Sequence, residues 1–349
     1  MKVVALLSGG KDSCFNMMHC VANGHEIVAL ANLYSQVSEN KEEIDSFMYQ
    51  TVGSNDVVPM IAQCLDLPLY RRLIRGTSLS VDMEYTSSPN DEVEDLFLLL
   101  QDVKKSNPDI TAISVGAILS SYQRIRVENV AGRLGMTVLS YLWQGNQREL
   151  VQGMLDTGVV AVLAKVAAVG LDTTHLGKTL AEVYPLLLKL EERFGVHVCG
   201  EGGEYETVVL DCPLFKKRLE ILEKEVVVHS QDSYEVVAYL RFKQLQIVDK
   251  SEWGLTEDLT TRLLESGSHN TFTTHDTRSL VKKCQSAPQH LPSPPSPSHH
   301  HPTPPQTPPS TKPAPTSQSQ TFAHVHPEQC NKKPTTACPN SSTTSKPTT

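Results

Sequence analysis

Val3 to Leu7 is a short apolar run that stops at Ser8-Gly9-Gly10-Lys11-Asp12-Ser13, and an amphipathic stretch from Ser13 to Ala22 follows at once. Further short apolar, β-rich segments at about 26–34, 68–74 and 110–116 alternate with longer ones of helical spacing, Val52 to Leu65 and Asp91 to Lys105. In the last of these, Val93, Leu96, Phe97 and Leu100 share one face. Strands alternating with helices predict an α/β fold, a parallel sheet with crossover helices.

Beyond Ser140 the chain reads as a smaller α+β subdomain over 141–250. It has a helix from Leu176 to Phe194, the segment Gly200-Glu201-Gly202-Gly203-Glu204-Tyr205-Glu206, and β-rich runs Lys224 to Val228 and Val236 to Val248. A linker is expected at 251–265. Sixteen of the 22 prolines fall in the last 66 residues, among Ser, Thr, Gln and His, with Phe322 as the single aromatic residue there. Such a segment buries too little apolar surface to offset its ordering entropy, so 266–349 is expected to be a disordered tail.

Removing the 66 residues from Cys284 onward leaves 27 basic and 38 acidic residues, a balance of −11 against −8 overall. An acidic folded part offers no field for bulk nucleic-acid binding, which requires many phosphates to be neutralised. The eight cysteines include no C-x-x-C pair, and Cys14 and Cys20 read as core thiols. Val3 to Leu7 is too short for a signal peptide, and Val159 to Leu171 is interrupted by Lys165 and too short to span a membrane. A cytoplasmic chain that touches no membrane is expected.

The chemistry is expected where the first strand ends, at the carboxyl edge of the sheet. Gly9 and Gly10 allow close backbone approach, the start of the following helix presents N–H groups and a positive dipole, and Ser8, Ser13 and Lys11 add donors and a cation. Because the glycines adjoin, this is no Walker A loop. It is better suited to a pyrophosphate leaving group than to wrapping a transferred γ-phosphate.

Ser8 to Ser13 resembles the signature of the N-type ATP pyrophosphatases, the PP-loop family with its HUP-like fold, which split ATP into AMP and pyrophosphate. Two further stretches narrow the resemblance. Val115-Gly116-Ala117-Ile118-Leu119-Ser120-Ser121-Tyr122-Gln123-Arg124-Ile125-Arg126-Val127-Glu128 is one, and Gly200 to Thr207 running into Leu210-Asp211-Cys212-Pro213-Leu214-Phe215 is the other. Together they are similar to the diphthine–ammonia ligase family from Met1 to about Lys250. That resemblance implies a PP-loop ATP-pyrophosphatase domain at 1–140 and ATP-dependent amidation, with ammonium, of diphthine on translation elongation factor 2.

It also implies roles. Asp12 would help hold Mg²⁺, with capping of the helix as its structural alternative. Lys11 would act on the phosphates. Arg124 and Arg126, with Tyr122 and Gln123 beside them, would clamp phosphate or carboxylate. The residues themselves suggest more: clustered acids repel, so unless Gly200 to Glu206 is an acidic surface turn, Glu201, Glu204 or Glu206 is expected to receive ammonium and take its proton, and Tyr205, beside Gly202 and Gly203, with a neighbouring carboxylate to recognise the trimethylammonium group.

After Lys250 only a hydrophilic segment follows, and position 2 is Lys2 rather than a cysteine nucleophile, so free ammonium is the expected donor. The readings kept beside this one are a tRNA-modifying PP-loop enzyme and a non-catalytic nucleotide-binding module. The tail residues His299 to His301, His324, His326, Cys330 and Cys338 resemble metal ligands in type only.

Overall fold

Val3 to Leu6 lie in the first strand, β1 (Lys2–Leu6), and the helix α1 (Lys11–Ala22) follows directly. The chain continues through β2 (Glu26–Tyr34), α2 (Val57–Leu65), β3 (Leu69–Leu73), α3 (Glu92–Ser106), β4 (Ile110–Ser114), α4 (Ser121–Leu134) and β5 (Thr137–Leu139). The five strands form a parallel sheet in the order β3-β2-β1-β4-β5. The computed structural model describes residues 1–35, 52–53, 55–80, 82, 84–231 and 236–250, all within a unit that runs from Met1 to Gln289. The expected linker at 251–265, the proline-rich tail and its His and Cys residues lie outside the described residues.

The second sheet is antiparallel and has the order β7-β6-β9-β8, from β6 (Val160–Val166), β7 (Tyr205–Asp211), β8 (Lys217–Gln231) and β9 (Val236–Asp249). Two helices, α5 (Gln147–Asp156) and α6 (Leu180–Phe194), belong to this half. The α/β class expected from the alternation is the one observed. Several boundaries differ. α2 begins at Val57 rather than Val52, because the chain first turns through Gly53 at φ +74°. α6 begins at Leu180 rather than Leu176, because Thr179 and Glu182 form a capping box that fixes the helix start.

The parallel sheet is covered on both faces. Val4, Ala31 and Ile113 pack with Leu96, Leu100, Val127 and Val130 of α3 and α4. On the opposite face Phe15 and Met18 of α1 and Ile61 of α2 join one continuous core with Val162 of β6 and Val208 of β7. α1 is therefore wedged between the two sheets and buried on nearly every side. Each fully buried side chain of this layer contributes about 1.5–3 kcal/mol of apolar burial. Ser8 to Gly10 thus run directly into a helix buried on nearly every side.

Candidate active site

Strand order reverses between β1 and β4, and in such sheets a crevice opens above the carboxyl ends of the two diverging strands. Ser8 to Gly10 leave β1 there, and Val115 to Ser120 leave β4. Both segments line a cavity of about 970 Å³, whose walls also include β2 at Ala31 to Leu33, α3 at Leu96 and Leu99, α4 at Tyr122 and Gln123, and the turn from Gly195 to Thr207. That is at the upper end of ligand-site volumes, about 300–1,000 Å³. The two loops touch at Gly116, where an added Cβ would lie 2.6 Å from the carbonyl carbon of Asp12. Only glycine permits that approach.

The phosphate loop is held by its own hydroxyls. Ser8 Oγ accepts the Gly10 N–H at 3.2 Å and donates to Ser13 Oγ at 3.2 Å, and Ser13 Oγ donates to the Gly10 carbonyl at 2.9 Å. Gly10 caps α1 with no side-chain hydrogen bond, which leaves the positive end of the helix available to an anion. The loop is also tied to the second sheet: the Lys11 N–H donates to Thr207 Oγ1 at 3.1 Å, and the Val209 N–H donates to the Gly9 carbonyl at 2.9 Å.

Lys11 is 2 % exposed. Its Nζ donates to Asp12 Oδ2 at 2.8 Å and to the Cys199 carbonyl, and lies 5.0 Å from the centroid of the Tyr205 ring. Burial works against its charge, but the Asp12 carboxylate, with Tyr205 and Cys199, outweighs that and holds the ammonium charged. Burial pushes Asp12 above the usual carboxylate range, and the Lys11 charge only partly offsets it. Asp12 Oδ1 is buried and has no hydrogen-bond partner.

The acidic segment separates into three different environments. Gly200, Gly202 and Gly203 turn the backbone at φ +73°, +95° and +91°, which glycine adopts at no steric cost. Glu201 Oε1 accepts the N–H groups of Ile118 at 2.8 Å and Leu119 at 3.3 Å, clasping the loop after β4. Glu206 lies on β7 rather than in the turn, 3.6 Å from Lys165 Nζ on β6. Glu204 Oε1 accepts the His197 N–H at 3.3 Å, while Oε2 is buried without a partner. Burial raises the Glu204 carboxyl above its ordinary value.

Tyr205, 2 % exposed, also lies on β7, where its hydroxyl donates to the Val198 carbonyl at 2.6 Å. With Lys11 over its ring, it is packed into the loop rather than opened as a box for a quaternary ammonium group. Arg124 and Arg126 also differ from expectation. Arg124 Nε is 2.6 Å from Glu128 Oε1 and its guanidinium stacks on Trp143. Arg126 is 0 % exposed, stacked 3.4 Å from the Tyr122 ring centroid, and donates to the carbonyls of Ser80 and Asp82. Neither lines the cavity; Tyr122 and Gln123 of the same helix do.

Sequence reasoning passed over Thr207, His197 and the close packing of Gly116. Thr207 and Gly116 act through backbone neighbours distant in sequence, and a lone histidine before the Gly-Glu turn carries no motif. Cys14 and Cys20 are buried, and burial pushes both thiols up, so neither is a ready thiolate. Among the described residues no cluster of three or more His, Cys, Asp or Glu forms a metal site, and no helix is long and apolar enough to cross a membrane.

Two family models match the chain, the diphthamide synthase N-terminal domain over residues 1–138 and the diphthamide synthase C-terminal domain over residues 146–242. The human diphthine–ammonia ligase is 56 % identical over 254 residues, which are 72 % of this chain and 94 % of the human one. The chain belongs to the diphthine–ammonia ligase family. A rat diphthine–ammonia ligase is 52 % identical over 268 residues, 76 % of this chain and 100 % of its own length. The Schizosaccharomyces pombe diphthine–ammonia ligase is 55 % identical over 253 residues, 72 % of this chain, but the match spans only 41 % of that longer relative. A solved structure titled a predicted subunit of tRNA methyltransferase from Methanocaldococcus jannaschii matches with a TM-score of 0.28 at 15 % identity over 60 % of this chain and 98 % of its own, too slight a likeness to carry an argument. Diphthine–ammonia ligases are ATP-dependent enzymes of the last step of diphthamide biosynthesis, and in this member of the family Ser8, Lys11, Asp12 and Ser13 line the cavity at the switch point.

Proposed function

We propose that this chain amidates the carboxylate of diphthine on translation elongation factor 2, with ammonium as nitrogen donor and ATP split into AMP and pyrophosphate. A carboxylate does not react with ammonia near neutral pH. Transfer of AMP to it supplies a leaving group, which requires ATP and the acid in one cavity. The observation that carries this reading is that the phosphate loop and the Glu201–Glu206 segment line the same cavity.

In the first half-reaction a carboxylate oxygen attacks the α-phosphorus and pyrophosphate departs. Ser8, Gly9, Gly10 and Ser13 shape the loop that receives the phosphates at the helix N-terminus. Lys11 has three Nζ hydrogens and uses two on Asp12 and Cys199, leaving one for a phosphoryl oxygen. Asp12 fits Mg²⁺, since its Oδ1 is buried without a partner and its raised carboxyl would gain from a cation; Mg²⁺ is bound by one or two carboxylates plus phosphates and spreads their charge.

In the second half-reaction nitrogen attacks the acyl carbon, the C–N bond forms, and AMP leaves with the electrons of the C–O bond. Of the three glutamates considered, Glu204 fits the ammonium site, because Glu201 is engaged by two backbone N–H groups and Glu206 faces Lys165. Glu204 Oε2 attracts the ammonium and takes the proton that frees ammonia to attack, and the second nitrogen proton leaves the adduct to solvent as AMP departs. The test is incubation with diphthine-bearing elongation factor 2, ATP, Mg²⁺ and ammonium. Conversion of the diphthine carboxyl to an amide, seen by mass spectrometry, with stoichiometric AMP, is the expected result. ATP binding with neither product would return the chain to a nucleotide-binding module, and AMP formation only with tRNA would favour the tRNA-modifying reading.

A further inference from the structure

His197 lines the cavity and has no part in the steps above. Its imidazole is fixed on one side. The Cys199 N–H donates to Nδ1 at 3.2 Å, and the Glu201 N–H is directed to the same nitrogen at 3.4 Å. A ring nitrogen that accepts N–H groups carries no proton, so the neutral ring must hold its proton on Nε2. The histidine's own N–H is tied to Glu204 Oε1, which makes ring and carboxylate parts of one turn. Lys11 and Asp12 line the same cavity as the ring.

Resting on the adenylation reading, we propose that His197 is a neutral hydrogen-bond donor whose Nε2–H binds an anionic oxygen of the reacting centre. Two oxygens have that chemistry, an α-phosphoryl oxygen of ATP and the acyl oxygen that becomes negative when nitrogen attacks. For either, a preoriented donor in a partly closed site stabilises developing charge without reorganising. His197 does not take the nucleophile's proton. Protonating the ring puts hydrogen on Nδ1 and breaks both backbone contacts that shape the turn, so the proton goes to Glu204 instead.

Imidazole nitrogen NMR on the full chain tests this, with His197→Gln providing the assignment. The expected spectrum has an unprotonated Nδ1 and a protonated Nε2 across the neutral range. Movement of the Nε2–H resonance on adding ATP assigns the phosphoryl oxygen. Movement only when ammonium and diphthine-bearing protein are also present assigns the acyl oxygen. A proton on Nδ1, or a resonance that moves in neither case, overturns the proposal. Kinetics give an independent reading: Gln keeps a donor near the Nε2 position, so His197→Gln should retain more turnover than His197→Ala, which should fall by about 10²–10³-fold, as for loss of one oxyanion donor. Equal loss in both variants also counts against it. Failure of the adenylation reading would look different, since the unsubstituted chain would then release no AMP whatever the tautomer of His197.

Discussion

Glu201, in the turn before β7, accepts the backbone N–H of Ile118 at 2.8 Å across 83 positions of sequence. The carboxylate thereby ties the loop after β4 to the wall of the second sheet. Replacing it with Ala leaves the N–H of buried Ile118 without its acceptor and is expected to destabilise the chain by about 1–3 kcal/mol, while Gln, which keeps an acceptor oxygen, costs less. Thermal unfolding of the two variants beside the parent checks this, and an Ala variant as stable as the parent contradicts it.

Gly116→Ala places a Cβ 2.6 Å from the Asp12 carbonyl carbon and forces the start of α1 away. Overpacking of this kind costs about 1–3 kcal/mol. The sharper readout is ATP affinity by calorimetry, which should weaken more than the stability loss explains, because the displaced atoms belong to the phosphate loop.

Glu204→Gln should block amide formation yet preserve ATP–pyrophosphate exchange driven by the acid substrate. In the parent, burial holds the Glu204 carboxyl above its ordinary value, so the ionised form needed for ammonium is lost at a higher pH than for an exposed glutamate. The acid limb of the amidation rate is therefore displaced upward and disappears with the substitution. The stability effect has the opposite sense. The folded chain binds this proton more tightly than the unfolded one, so the contribution is present at low pH and fades as pH rises through the raised value.

Arg124→Ala should leave the KM for ATP nearly unchanged. Its guanidinium is occupied by Glu128 and Trp143, away from the cavity. A stability loss of about 0.3–0.5 kcal/mol is expected for a partly exposed pair one helical turn apart. A large rise in KM would restore the anion-clamp role.

Arg133 holds Glu94 through two N–H donors at 2.8 and 2.7 Å, joining α4 to α3, and this pairing keeps the Glu94 carboxyl below its ordinary value. A depressed carboxylate gives stability that is present above its unfolded pKa and lost as pH falls through the folded one. Glu94→Gln should therefore lower the melting temperature near neutrality and make no difference in strong acid. With solvent screening the effect is about 0.5–1 kcal/mol.

Local signals in the sequence were legible, and tertiary ones were not. The phosphate loop could be read because its glycines, hydroxyls and cation are contiguous, and the parallel sheet because strand and helix periodicities alternate. Arg124 and Arg126 could not be placed, since two residues differ by about 200° around a helix and the phase depends on where Ser120 caps it. Tyr205 and Glu206 were read as turn residues because the preceding glycines suggest a hinge, whereas β7 already begins at Tyr205. β5, only three residues long, lies below what any periodicity can reveal.

β7 joins the two ends of the proposed site. Its Thr207 and Val209 grip the phosphate loop at Lys11 and Gly9, and its first residue follows Glu204 directly. An extended backbone advances about 3.3 Å per residue, so the proposed ammonium site and the proposed phosphate site would be offset by a length written in covalent bonds. A single-residue insertion or deletion between Glu204 and Thr207 would change that offset and reverse the facing of the intervening side chains. Such a frame has no slack, and divergence within this strand should proceed by substitution rather than by change of length.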